Sequence, residues 1–444
     1  MKPLQITTVK FGGTSLATAA QMQKAAAIIK SDPARRFVVA SAPGKRMPND
    51  IKVTDLLYRC FDEATEGDDW TATLDEIGQR YEDIVRELGL DFDLDSELRA
   101  IRAHLTGVPN RDYMASRGEY LNSKIFAACL GFPFVDAAEL IRFRADGFLD
   151  EPHTERTMRA RLAEMDCAVV PGFYGALPDG TVRTFSRGGS DVTGSLVALA
   201  TGSALYENWT DVSGMLSADP RIVDDPRVIE YITYTELREL SYMGAAVLHE
   251  DAVFPVRKAG IPINIRNTNR PGDPGTMIVA ALPASAHRRT VTGIAGKQGF
   301  SSVHVEKGMM NAEVGFVANL LRIFADSGLS IEHCPSGIDT VSVVVNTEAF
   351  EPYREEILRR IRRDLEPDVV TVEDHLALIA VVGQGMVYSK GTAARVFGAL
   401  NSADVNIRMI DQGSSELNII VSVEDGDYAH ALRSIYTAME GLMK

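Results

Sequence analysis

The stretch ITTVKFGGTS, Ile6 to Ser15, is a short β-prone run that ends on a lysine, breaks at the pair Gly12 and Gly13, and gives way to a helical pattern. In that pattern Met22, Ala25, Ala26 and Ile29 recur at helical spacing, so one apolar stripe is predicted to pack on the strand before it. Working outward, β-rich runs alternate with helical segments at Phe37 to Ala40, Phe134 to Val135, Ala168 to Val170, Ala204 to Trp209 and Ile261 to Ile265. Such alternation predicts an α/β fold with a largely parallel sheet covered by helices. Thr233 and Glu236 form a T-x-x-E capping pattern, which predicts a helix through Leu237, Leu240 and Val247.

Between Arg270 and Ala286 the text turns rich in Pro and Gly, with Pro271, Gly272, Pro274, Gly275 and Pro283, and a boundary followed by a linker is expected there. Beyond it the pattern repeats. Sliding the tail on itself by 76 residues, without a gap, lays Gly315 on Gly391, Leu320 on Val396, Phe324 on Leu400, Ile331 on Ile407 and Gly337 on Gly413. The same register places Val341, Val343 and Val345 on Leu417, Ile419 and Val421. Two related βαββαβ units explain this most economically. The expected organisation is a front domain over residues 1–285 and a tail over 286–444. In the tail, the first unit covers about 305–370 and the second about 371–444, with the strand at 290–303 as a candidate completion of the second.

A chain of 444 residues is long enough for two or three domains. Its 45% hydrophobic and 24% charged content is that of a folded globular protein. Lys and Arg total 46 against 61 acidic residues, a net charge of −15, and no long basic run occurs, so nucleic acid is not an expected partner. An anionic ligand would need local cations and backbone N–H groups to overcome that field. Cys60, Cys129, Cys167 and Cys334 are scattered without a CxxC pair, and the eight histidines show no paired ligand spacing, so no protein-held metal is expected. Without a signal segment or 18 consecutive apolar residues, the expectation is no membrane association and a cytoplasmic location.

Two clusters carry chemistry. In the first, Lys10 stands at a strand end beside Gly12 and Gly13, where backbone N–H groups and a helix N-terminus can approach a phosphate and the lysine can neutralise it. The second runs Ser186, Arg187, Gly188, Gly189, Ser190, Asp191, Val192 and Thr193 ahead of a small-residue helical run. It joins a fork-shaped cation, flexible donors and one carboxylate. No G-x-x-x-x-G-K-[ST] loop and no HRD or DFG signature occurs, which excludes the two large kinase classes built on them.

Four motifs in order, KFGGTS (Lys10 to Ser15), SRGEY (Ser116 to Tyr120), SRGGSD (Ser186 to Asp191) and WTDVSGMLSADPR (Trp209 to Arg221), resemble those of the aspartate kinases, within the amino-acid kinase superfamily. The resemblance covers nearly the whole chain, because the tail resembles the paired ACT modules of that family. It implies a three-layer αβα, carbamate kinase-like catalytic domain followed by two ferredoxin-like ACT domains. It also implies ATP-dependent phosphorylation of the side-chain carboxylate of L-aspartate to 4-phospho-L-aspartate, the first step toward lysine, threonine and methionine, with feedback inhibition by an end product such as lysine or threonine.

Residue by residue, the resemblance makes Lys10 the bridge between phosphoryl oxygens and attacking carboxylate, with Asp191 orienting it and Gly12 and Gly13 giving backbone donors. Glu119 would hold the α-ammonium of aspartate, Arg187 its α-carboxylate, and Thr54 and Ser41 would be further acceptor-side hydroxyls. Lys10, Gly13, Ser15, Gly189, Ser190, Thr210, Asp211, Leu216 and Arg221 would meet the nucleotide, and Mg²⁺ would be carried on ATP oxygens. In the tail, Gly315, Phe316, Glu332 and Ser336 would contact an effector, with Glu332 suited to the cationic end of lysine. A homodimer through the ACT modules is implied as well. Because the acceptor carboxylate is already ionised at neutral pH, no general base is required.

This chain departs from the pattern in two places. It reads MGAAVLHED where many relatives have FGAKVLHP, so Ala246 stands for a lysine, with Lys258 as a candidate replacement, and Leu216 stands where tyrosine is common. Two other readings remain: a kinase for glutamate or N-acetylglutamate, the latter opposed by Glu119, and a catalytically silent amino-acid sensor, opposed by the retention of Lys10, Arg187 and Asp191.

Overall fold

A computed structural model of the chain describes residues 5–186, 188–245, 248, 250–284 and 289–443. Two compact units emerge, the first being Met1–Met215, Val228–Tyr234 and Val247–Pro283, and the second Leu216–Arg227, Thr235–Ala246 and Ala284–Lys444.

In the first unit the strands are β1 (Thr7–Phe11), β2 (Arg35–Ala40), β3 (Ala168–Pro171), the hairpin β4 (Tyr174–Ala176) and β5 (Val182–Thr184), then β6 (Leu205–Thr210), β7 (Tyr231–Thr233), β8 (Ile263–Asn267) and β9 (Thr276–Val279). Seven of them form one sheet in the order β3-β2-β1-β6-β8-β9-β7. All neighbours are parallel except β8 and β9. The Phe134 to Val135 run contributes only a single parallel bridge, from Phe134 to Val169.

β1 is buried along its whole length, as a central strand covered on both faces must be. Alternation sends Val9 and Phe11 to one face, where with Val38, Val169 and Trp209 they meet the helices Ala19–Lys30, Val53–Glu66 and Arg111–Leu130. Phe11 stacks on Trp209 and meets Phe126 edge-on. The opposite parity, Thr8 and Lys10, faces the layer that contains the Gly189–Ala200 helix. The Ala19–Lys30 helix starts at Thr18, whose Oγ1 accepts from the Gln21 N–H, and it buries Met22, Ala25, Ala26 and Ile29. From β1 the chain winds outward through β2 and β3, then returns to the other side of β1 with β6. The point where strand order reverses therefore lies between β1 and β6, and ligand crevices form at the carboxyl ends of such strands.

The second unit holds β10 (Gly293–Glu306), β11 (Thr340–Asn346), β12 (Val369–Val382), β13 (Met409–Asp411) and β14 (Asn418–Glu424), in an antiparallel sheet ordered β11-β10-β12-β14-β13. Gly315 and Gly391, the pair matched by the 76-residue repeat, both take left-handed backbone and open the helices Phe316–Asp326 and Thr392–Ser402. Their matched positions Leu320 and Val396, and Phe324 and Leu400, are all buried. One core forms beneath Phe316–Asp326 and Arg354–Leu365, and another beneath Thr392–Ser402 and Tyr428–Met439.

The 14-residue strands β10 and β12 run through both cores. Gly293–Gln298 pairs with the end of β12, whereas Phe300–Glu306 lies between β11 and the start of β12. At the junction the register shifts around Phe300, and Gly299 (φ 89°) and His375 (φ 60°) are both left-handed. These irregularities let the core-facing parity of β12 switch from Val370 and Val372 to Ala377, Ile379 and Val381. The predicted Thr233 helix runs as Tyr234–Tyr242, and Val247 lies outside the described residues. Among the described residues no helix is long and apolar enough to cross a membrane.

Candidate active site

β1 delivers Lys10 to the carboxyl edge of the sheet beside the strand reversal. Its Nζ lies 2.6 Å from Asp191 Oδ1. Asn208, directly opposite Lys10 in the β1/β6 register, donates from Nδ2 to the same oxygen at 2.8 Å. Lys10 and Asn208 are buried, whereas the Asp191 side chain keeps 17% of its surface. Asp191 sits in the first turn of the Gly189–Ala200 helix, where its N–H donates to Gly188 O at 2.9 Å. Gly188, the residue before that helix, has φ 60°, a backbone state that glycine adopts without steric cost.

After Lys10 the Gly12 N–H donates to Trp209 O, and Gly13–Leu16 forms a 3₁₀ turn. A Cβ on Gly13 would lie 2.8 Å from Ala42 O and 3.0 Å from Gly44 N, so a side chain there would push the two loops apart. Gly44 N in turn donates to Gly13 O at 2.8 Å. Ser15 is buried, and its hydroxyl is shared with Thr268 at 2.8 Å.

On the other side of the Ser41–Gly44 loop stands Glu119, in the Arg111–Leu130 helix and 6% exposed. Its carboxyl accepts from the Ala42 N–H, while Oε2 is buried with no hydrogen-bond partner among the described residues. Burial drives this carboxyl up to about 8, against the opposing pull of the Ala42 N–H and, more weakly, of the Lys10 charge. An orphaned, buried carboxylate oxygen is costly in the free protein and asks for a donor, and a ligand ammonium would supply one. Ser41 and Thr54 border the same place. Ser41 N–H donates to Phe11 O, Asn122 Nδ2 donates to Ser41 O at 2.6 Å, and Gly118 has Ala42 Cβ and Thr54 Oγ1 as near neighbours.

Residues 5–267 match the family model described as the amino acid kinase family, more than half of the chain. The chain belongs to the amino acid kinase family. Residues 379–439 match an ACT domain model, within the second tail module. The chain is 40% identical over 443 residues to aspartokinase 3 of Bacillus subtilis (strain 168), covering 96% of this chain and 97% of that one. Among solved structures it is similar to the aspartate kinase of Clostridium acetobutylicum, at 47% identity and TM-score 0.88, covering 98% and 100% of the two chains. It is also similar to E. coli aspartokinase III in complex with lysine and aspartate, at 25% identity and TM-score 0.72, covering 99% and 100%. The three-layer αβα domain and the ferredoxin-like ACT region are thus those of an amino acid kinase with a regulatory tail.

Of the residues singled out by the motifs, the first unit brings together Lys10, Gly12, Gly13, Ser15, Ser41, Thr54, Glu119, Gly189, Ser190 and Asp191. Ser190 packs against Gly172, whose added Cβ would meet its Oγ at 2.5 Å. Thr210 and Asp211 follow at the end of β6, with Thr210 Oγ1 donating to Asp211 Oδ1 and Asn267 Nδ2 donating to Asp211 O. Leu216 and Arg221 fall in the second unit, and Arg221 pairs with Asp219 at 2.6 Å. Arg187 and Ala246 lie outside the described residues, and Lys258 is exposed on the Glu250–Ala259 helix. In the tail, Phe316 is a core residue at 1% exposure, Glu332 Oε2 accepts from the Tyr242 hydroxyl, and Ser336 is exposed beside Val341.

Sequence reasoning did not single out Asn208, Asn122 or the Ala42 N–H. Asn208 becomes identifiable once β6 is placed beside β1, because the register then sets it opposite Lys10. The other two act on or through backbone atoms and leave no pattern.

Proposed function

We propose that this amino acid kinase is an aspartate kinase, transferring the γ-phosphoryl group of ATP to the side-chain carboxylate of L-aspartate. The observation that carries the reading is the pairing of Lys10, aimed at the strand reversal, with a buried, half-satisfied Glu119 carboxylate across the Ser41–Gly44 loop. One end of that arrangement suits a migrating phosphoryl group and the other a free α-ammonium. An acceptor oxygen attacks the γ-phosphorus as the bond to the β–γ bridging oxygen breaks, and ADP leaves with that oxygen. Lys10 neutralises charge that develops on the transferring group, and Asp191 with Asn208 fixes where its ammonium points. Arg187 is the proposed grip on the aspartate α-carboxylate.

The Mg²⁺ that accompanies ATP is proposed to take its ligands mostly from phosphate oxygens and water. Bound in that way, the ion would neutralise phosphate charge. Trapping with hydroxylamine tests the assignment. Hydroxamate should form with aspartate and ATP and not with glutamate or N-acetylglutamate, and its absence with aspartate would reject the reading.

We further propose an amino-acid effector at the first tail module, near Gly315, Phe316, Glu332 and Ser336, and a homodimer joined through the ACT modules. An ATP-consuming enzyme whose four cysteines are all free of disulfides fits the cytoplasm. Glu332 already has the Tyr242 hydroxyl as a partner, so a cationic effector would have to exchange for it. Kinase activity measured against lysine, threonine and both together should fall with at least one of them. Three flat curves would remove these two amino acids as effectors.

A further inference from the structure

We propose that Arg80 is a positioning residue for phosphoryl transfer, which clips both ends of the Gly44–Ile51 loop and thereby sets the spacing between the glycine turn at Gly13 and the acceptor-side carboxylate of Glu119. The inference rests on the aspartate kinase reading above. Arg80 lies in the middle of the Thr71–Leu88 helix, with only 4% of its surface exposed. One terminal nitrogen donates to Gly44 O at 2.9 Å and lies 3.3 Å from Asp50 Oδ2, and the other donates to Ile51 O at 2.5 Å. Asp50 is closed from the other side by Arg46, which donates from N and Nε to Oδ2 and from a terminal nitrogen to Oδ1, each at 2.9 Å. A planar fork can bridge two carbonyls in this way, whereas an ammonium offers one compact point of attachment.

The clipped loop matters because of what its backbone touches. At one end Gly44 N donates to Gly13 O, and a Cβ on Gly44 would lie 2.7 Å from Gly13 C and Thr14 N. Two residues earlier, the Ala42 N–H donates to Glu119. At the other end Ile51 leads directly into the Val53–Glu66 helix, which carries Thr54. The neighbour of Arg80, Tyr81, is buried and donates its hydroxyl to Gly118 O at 2.8 Å, immediately before Glu119. A single helical turn thus holds both the loop and the helix that carries the carboxylate. Burying a guanidinium is costly unless its donors are satisfied, and here they meet two main-chain carbonyls and the Asp50 carboxylate of one loop. Among the described residues the bonds of Arg80 all go to that loop, so its effect on turnover runs through Gly13, Ala42 and Thr54. Displacements near 1 Å in such a frame cost on the order of 10²-fold in rate.

Steady-state kinetics on the full chain test this, varying aspartate and ATP separately. Arg80→Ala should raise KM for aspartate about tenfold or more and lower kcat, with KM for ATP changed less than about twofold, and added methylguanidinium should recover part of the loss. KM does not depend on the fraction folded, so general destabilisation would not produce that split. If Arg80→Ala does not fold, Arg80→Lys decides by the same ratio, since it keeps charge and stem but loses the fork. Wild-type values of KM for aspartate in the folded variant, or equal changes for both substrates, would overturn the inference. Failure of the wild-type chain to form aspartyl hydroxamate would instead reject the activity on which it rests.

Discussion

Lys10→Met is expected to lower kcat roughly 10²- to 10³-fold, the scale of losing one preorganised donor at a developing charge, with little change in KM for aspartate. Methionine keeps most of the buried volume at the end of β1 and removes only the ammonium. Asp191 would then retain the Asn208 bond and its partial exposure to water, so the folding penalty should stay near 1–3 kcal/mol. Combining Lys10→Met with Asp191→Asn separates the two effects. The pair leaves no uncompensated carboxylate, so thermal stability should return toward wild type while turnover stays low. A coupled assay for ADP and a melting curve read both quantities. Near-normal kcat in Lys10→Met would remove this residue from the chemistry. Recovery of turnover in the double variant would mean that the pair serves the fold alone.

Which parts of this arrangement could be read from the sequence follows from how each residue acts. Phe37 to Ala40 and Ala168 to Val170 are strands buried on both faces, and they announce themselves as unbroken apolar runs. The hairpin strand Val182–Thr184 is partly exposed and only three residues long, so it leaves no such run. Phe134 and Val135 look like a strand but make only one bridge, since the chain leaves the sheet directly afterwards for Asp136, which caps the next short helix. In the tail the 76-residue repeat was legible because both copies fill the same core positions. Strands shared between the modules were not, because left-handed backbone at Gly299 and His375 resets the parity on which strand reading depends.

The site divides in a similar way. Lys10 and Asp191 are far apart in the chain, yet each sits in a glycine-bearing motif that points to phosphate chemistry, and the structure places them 2.6 Å apart. Arg80 and Asn122 carry no such signal. Arg80 reads as one charged residue on an amphipathic helix, where a solvated role is the ordinary expectation, and only the fold turns it inward onto Gly44 and Ile51. Polar residues that act through main-chain atoms are invisible to motif reading, because the groups they bind are the same at every position.

Glu119→Gln carries the other large expectation. Glutamine keeps the shape, and its carbonyl can still accept from the Ala42 N–H, but it cannot pair with an ammonium. kcat/KM for aspartate should therefore fall roughly 10²- to 10³-fold, within the ~2–5 kcal/mol lost when one partner of a buried charge pair is removed. The wild-type enzyme should add a pH signature. In the ligand-free site burial holds the Glu119 carboxyl near 8, so at pH 7 it is mostly protonated, while the proposed aspartate ammonium would bind the ionised form. Binding at neutral pH should then release a proton to solution. KM for aspartate should fall as pH rises from about 6.5 and level off above about 8, approaching a tenfold change per unit on the acid side. The sign is opposite for folding: a carboxyl whose folded value lies above its unfolded one contributes stability at low pH, and that contribution is lost as pH rises through about 8. Glu119→Gln should flatten both dependences. Profiles of KM and of melting temperature between pH 6 and 9 measure them, and a KM for aspartate that is flat across that range in the wild type would show that Glu119 is already ionised before the substrate arrives.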